Sequence, residues 1–432
     1  MFLRSFKLFT ATLIAALMSV ACGGDSAPAP TGLTVTPGDT TATVSWNMVD
    51  GVEYWLFYGP SSFTPADATS LHGWIGLPGG NVLLKVSSPY LVSGLPNGIS
   101  YSFSLNGRTG GGPGGPGAAP VSATPRIAGA SWIAGPTNPP GSNDLRSLAY
   151  GSTTITTAVD VNSVATATKT TSTYVAAGTG GAMYSSSDSL AWSPINYATS
   201  SNLNGASYFG TYKLVGDGGL VLVSSDALTW TAQTTPTTKN LFAIASNYMT
   251  LNVAVGAGGT IITSPDGVTW TAASNSATSS DLYAVTYTDY NAGTWVAVGA
   301  GGTVVESADG LSWHSVASNS TADLRGVAYA TSTSAAGAST FVAVGAAGTL
   351  LSSTDGVNWT TQVLPGVTAL NAVTYGGQFV TVGSGGNIFI STNGLTWTLT
   401  APSATSQTLY AVVHGLNGYS AVGAAGTNLL SK

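Results

Sequence analysis

The chain has 432 residues, 44 % of them hydrophobic and only 6 % charged, with a formal net charge of −6. That length allows two or three domains and a sizeable core, but ordinary globular domains carry roughly 25 % charged residues, so Ser, Thr, Asn and Gly must supply most of the polar surface here. Lysine and arginine total 11 and nowhere cluster, which excludes nucleic acid, a partner that rewards several phosphate contacts.

The first element in chain order is a targeting segment. Arg4 and Lys7 precede an apolar run, Leu8 to Val20, too short to span a bilayer comfortably. Small residues then lead to Cys22, the only cysteine. The pattern resembles a bacterial lipoprotein signal, although Ser19 stands where that family usually has leucine. The resemblance implies a signal peptide over 1–21, lipidation of Cys22 and attachment to an envelope membrane through the acyl chains. Gly23, in place of aspartate, implies the outer membrane, facing either the periplasm or the outside. An ordinary secretory signal cleaved after Ala21 is the alternative. A lipidated cysteine cannot crosslink, so no intramolecular disulfide is expected. Residues 22–30 read as a tether.

Residues 31–125 alternate as half-buried strands do: Leu33 and Val35; Ala42, Val44 and Trp46; Tyr54, Leu56 and Tyr58; Phe103 and Leu105. The Trp46 strand and the corner Leu95-Pro96-Asn97-Gly98-Ile99-Ser100-Tyr101 resemble a fibronectin type III domain, which implies a small β-sandwich ending near Pro125. Arg108 to Pro120 reads as a flexible loop or hairpin connection, without the strand–helix context of a phosphate-binding loop. The expected role is a spacer.

From residue 127 onward the chain repeats. A glycine turn, an apolar run and a tryptophan recur, ending at Trp192, Trp230, Trp270, Trp313, Trp359 and Trp397, 38 to 46 residues apart. A period of that size with short strands predicts an all-β fold, a seven-bladed β-propeller over 127–432 behind the sandwich. A second phrase, L-x-small-V-x-Tyr, starts at Leu145, Leu203, Leu241, Leu282, Leu324, Leu370 and Leu409 and reads as the innermost strand. Its third position is always small, as crowding around an axis demands. The last repeat stops before its tryptophan, while an unpaired strand holds Trp132, so that strand is expected to close the seventh blade.

Before each tryptophan stands S-x-D-G-x-x-W or a degenerate copy, with Asp188, Asp226, Asp266, Asp309, Asp355 and Asn393 at the acidic position and the tryptophan expected to open the outer strand. This resembles the Asp-box of bacterial neuraminidase repeats, one residue shorter, and the propeller family of photosystem II assembly and stability factors. The chemistry is structural: the carboxylate or amide accepts backbone N–H bonds, the glycine takes a positive φ and the indole is buried. Single carboxylates per turn do not make a calcium or other metal site, and no cofactor is expected.

The Asp-box resemblance raises a sialidase reading. A sialidase needs three converging arginines and a tyrosine–glutamate pair, whereas this region offers Arg146 and Arg325 after Arg126, and only Glu306. The histidines His72, His314 and His414 are scattered, and His414 fills the tyrosine slot of the last inner strand, which suggests a core role. The chain is therefore read as no enzyme. Variation within the repeat points to a site instead. The residue after each repeat leucine reads Arg146, Asn204, Phe242, Tyr283, Arg325, Asn371 and Tyr410, a ring at one mouth of the channel. It either contacts a partner or lines a water-filled axis. The leading expectation is a membrane-tethered scaffold that binds a protein partner or surface ligand; the alternative is a glycan-binding or glycan-processing lipoprotein.

Overall fold

The computed structural model describes residues 27–38, 40–63, 74, 79–111, 114–126, 128–135, 143–158, 166–247, 251–288, 293–330, 339–400, 404–415 and 418–431, with backbone alone for 153–158 and 166–171. The targeting segment, Cys22, most of the tether and His72 lie outside these residues. The chain divides into two compact units, Met1–Ala128 and Gly129–Lys432.

In the first unit, alternation decides the faces. Ala42 and Val44 are fully buried while Thr41, Thr43 and Ser45 of the same strand are not, the period-two pattern of a sheet with one packed side. One antiparallel sheet holds β1 (Thr34–Gly38), β2 (Thr41–Ser45) and β5 (Tyr90–Ser93); the other runs β4 (Asn81–Val86), β3 (Val52–Pro60), β6 (Tyr101–Thr109) and β7 (Val121–Ala123). Val44, Trp46, Leu56, Phe103 and Leu105 from both sheets share one core, so the unit is a β-sandwich. The segment expected to be a flexible loop or hairpin connection lies between the antiparallel pair β6 and β7, and its described part is not loose. The Gly115 and Ala118 N–H groups bond the Gly107 and Leu105 carbonyls at 2.9 Å, and Ala118 joins the core. Small residues let this backbone lie close along β6.

The second unit is a seven-sheet β-propeller. Each sheet has four antiparallel strands, for example Leu282–Thr288, Thr294–Gly299, Val304–Ser307 and His314–Val316 in the fourth. The other inner strands are Leu145–Ala158, Leu203–Phe209, Leu241–Ser246, Leu324–Ala330, Leu370–Tyr375 and Leu409–Gly415. Each packs against the next, and the seventh packs against the first. The seventh sheet takes its outer strand from the start of the unit: β8 (Trp132–Ala134) pairs with Asn428–Ser431. Crowding at the axis is visible at Gly205, where a Cβ would sit 2.7 Å from the Phe242 carbonyl oxygen and 2.8 Å from the Ala243 Cα.

The hairpin turns follow one pattern. Asp309 Oδ1 accepts the N–H groups of Leu311 and Ser312, both at 2.8 Å, and Ser307 Oγ accepts that of Gly310 at 2.9 Å. Asn393 makes the same pair at 2.9 Å. Gly267, Gly310, Gly356 and Gly394 hold φ between 72° and 78°, while Ser189 and Ala227 adopt the left-handed region without being glycine. Five indoles, those of Trp230, Trp270, Trp313, Trp359 and Trp397, donate to the carbonyl three residues back at 2.9–3.2 Å, and Trp132 does likewise to Gly129 at 2.8 Å. Trp192 is buried with its Nε1 unpaired. Trp132 opens its outer strand, β8, whereas the other six tryptophans close the turns and their outer strands start one residue later, as at Thr231 and His314. That inward placement makes the local bond and the burial compatible.

Candidate binding mouth

The mouth is built by a repeated irregularity. Leu203 pairs with Gly216 and Gly205 with Val215, so Asn204 stands unpaired between them. The same slip leaves Phe242, Tyr283, Arg325, Asn371 and Tyr410 unpaired, and Arg146 lies between the Leu145–Gly178 and Ser147–Ala177 pairs. An extra residue in one strand is a β-bulge, a device that re-aims a side chain. All seven bulge residues line one cavity of about 610 Å³.

Glycine permits the slip. A Cβ on Gly256 would run into the Asn240 carbonyl, and Gly216 and Gly299 meet the carbonyls of Asn202 and Asp281 in the same way. Those carbonyls accept the next N–H along, from Ala257, Asp217 and Ala300 at 2.9–3.0 Å. The residue before the repeat leucine thus anchors its own sheet through its backbone. Its side chain anchors the preceding one: Asn202, Asn240, Asp281 and Asp323 accept the N–H groups of Gly180, Gly218, Gly258 and Gly301 at 2.7–3.0 Å. Asp144 accepts that of Ala425 at 3.1 Å, across the seam between first and seventh sheets. Sequence reading missed these residues. Their signal was Asp or Asn at five of seven positions immediately before the repeat leucine.

The side chains of the mouth form a linked network. Arg146 Nη1 donates to Asn204 Oδ1 at 3.4 Å, and Asn204 Nδ2 donates to Asp217 at 2.9 Å and to the Leu241 carbonyl at 3.0 Å. Across the channel, Arg325 Nη1 donates to Asn371 Oδ1 at 2.9 Å, and Asn371 Nδ2 to the Leu409 carbonyl at 2.8 Å. Phe242 and Tyr283 pack at 5.6 Å, tilted by 51°. Burial raises the Tyr283 hydroxyl pKa, with Asp281 and Asp323 adding to the rise and Arg325 opposing it. Tyr410 is raised by burial too, with Asp144 adding and Arg146 opposing. Around the ring the order is Tyr410, Arg146, Asn204, Phe242, Tyr283, Arg325, Asn371, so a Tyr–Arg–Asn series occurs twice with Phe242 between. Asp217 and Asp323 also line the cavity, the first held by the Asn202 and Asn204 amides and the second by the Gly301 N–H.

Other groups considered from sequence lie elsewhere. Glu306 sits on the third strand of its sheet opposite His314. His414 is exposed and not part of the core, its ring edge-on to Tyr419 at 4.9 Å. Gly376 leaves room for the ring: a Cβ there would strike the imidazole. Among the described residues no group of three or more His, Cys, Asp or Glu is placed to hold a metal ion.

No family model matches the chain, and no curated protein matches it. Solved structures do. One described as "YCF48 bound to D1 peptide" is 14 % identical with a TM-score of 0.52, covering 69 % of this chain and 94 % of its own. The WD40 β-propeller domain of Doa1 is 12 % identical with a TM-score of 0.51, covering 70 % of this chain and 97 % of its own. At these identities the likeness is one of fold.

Proposed function

We propose that this chain is a non-catalytic binding scaffold whose propeller receives a segment of a partner protein at the bulge-lined mouth. The observation that carries this reading is the convergence of seven varied side chains, at one register of an otherwise monotonous repeat, on a single cavity. Arginine, tyrosine and phenylalanine there are contact residues of the kind that dominate interfaces. The propeller of YCF48, solved with a D1 peptide, is a precedent for a peptide on this fold. The two carboxylates that line the mouth, Asp217 and Asp323, are engaged by side-chain amides and a backbone N–H group.

In the same reading Cys22 carries a lipid, the first unit is a fibronectin type III-like spacer, and the scaffold works at the envelope, on the outer membrane. The strand order, β1-β2-β5 in one sheet and β4-β3-β6-β7 in the other, supports the fibronectin type III-like assignment. The test is affinity capture from envelope extract with the chain from residue 22 carrying Cys22→Ser, against the same chain carrying Phe242→Ala and Tyr283→Ala. A partner retained by the first and lost by the second is expected; equal retention by both refutes the mouth. The glycan alternative, favoured by aromatic faces beside amides, is read in parallel from a glycan array and fluorogenic glycosides, where binding or turnover replaces the protein reading.

A further inference from the structure

The mouth is a doubled device. Tyr410, Arg146 and Asn204 on three successive sheets repeat as Tyr283, Arg325 and Asn371 on three others. The two arginines lie three sheets apart one way and four the other, near opposite sides of a seven-sheet ring. In each series the asparagine is held by the next sheet's leucine carbonyl and in turn holds one guanidinium nitrogen. A guanidinium has five donors in a rigid fork, so several remain for a guest. Both arginines are exposed. Asp144 and Asp323 each precede the arginine by two residues, yet their carboxylates accept backbone N–H groups. Among the described residues, the ion pair within 4.0 Å is Lys85–Glu53, in the other unit. The two cations are therefore oriented without being neutralised by contact.

We propose that these series are two equivalent carboxylate clamps, and that the mouth takes a peptide segment bearing two carboxylates, one on each guanidinium. This rests on the protein-partner reading and adds the chemistry of the guest. The two guanidiniums belong to sheets near opposite sides of the ring, so each is assigned a carboxylate of its own. Each guanidinium offers planar, two-point hydrogen bonding that a carboxylate matches, and inorganic phosphate, which the fork also fits, is the competing guest that the test separates.

The probes are peptides acetyl-Glu-(Gly)n-Glu-amide with n from 1 to 5, titrated calorimetrically into the full chain, with inorganic phosphate and versions carrying Gln at one end as controls. Affinity is expected to pass through an optimum in n and to fall about tenfold or more when either Glu becomes Gln. Arg146→Gln and Arg325→Gln, each checked for an unchanged melting curve, should lose similar affinity and erase the advantage of two carboxylates. Arg→Lys at either site should not restore it. Absence of binding by every peptide, indifference to length, equal affinity of the Gln versions, or phosphate binding as well as the best peptide overturns the clamps. If the peptides fail while partner capture still depends on Phe242 and Tyr283, the clamps fall and the scaffold reading stands.

Discussion

Lys213 is a buried cation in a place built for valine. Three residues before the last glycine of the second strand, five other sheets carry Val175, Val253, Val296, Val342 and Val380, all fully buried, and the seventh carries Ser420. Lys213 is 3 % exposed, and among the described residues its ammonium has one long hydrogen bond, 3.5 Å to the Thr211 carbonyl. Burial alone depresses its pKa from 10.5 to about 8. That fall corresponds to about 3 kcal/mol of stability forgone while the amine is charged in both states. The sign follows from the folded state preferring the neutral amine. The cost is complete below about pH 8, shrinks as pH rises through the folded value, and vanishes above the unfolded value near 10.5. Lys213→Met keeps the unbranched stem and removes the charge. At pH 7 it should raise the melting temperature by about 6 °C, at about 2 °C per kcal/mol for a unit of this size. The assay is thermal unfolding of both chains at pH 7 and pH 10 by tryptophan fluorescence. Taking the difference between the chains cancels titrations they share. The advantage of the variant should shrink markedly at pH 10. An advantage that is absent at pH 7, or unchanged between the two pH values, refutes the buried charge.

Three further outcomes follow from the same contacts. Backbone N–H groups of Thr229 and Leu228 hold the Asp226 pKa down to about 2, and those of Thr269 and Val268 hold Asp266 lower still. Their contribution is present above about pH 4 and is lost as pH falls through the folded values; acid titration followed by fluorescence should show Asp226→Asn less acid-sensitive than the parent, because Asn393 already makes the same bonds without a charge. Trp313→Phe should cost about 1 kcal/mol more than Trp192→Phe by urea denaturation, since the first breaks a 3.0 Å indole bond and the second breaks none. Gly256→Ala should destabilise by about 1–3 kcal/mol, because its methyl group displaces the Asn240 carbonyl and with it the bond to Ala257; a melting temperature equal to the parent's contradicts the close approach.

What the sequence determined by itself is everything that returns at a fixed interval. The spacing of the tryptophans, the small third residue of each inner strand and the Asp-Gly turns are local rules, satisfied within one sheet or between strands adjacent in sequence. Seven copies of them suffice for a seven-sheet ring. The tertiary structure decided what depends on the neighbouring sheet, some 40 residues away. It made the residue after each leucine a bulge aimed into the mouth, and it carried Asp281 and Asp323 onto the preceding turns. It left His414 exposed and Lys213 buried at a position that is valine in most other sheets. Periodicity records which face of a strand is apolar. Where a bulge turns a side chain, and which distant carbonyl or amide meets it, are settled only when the sheets pack.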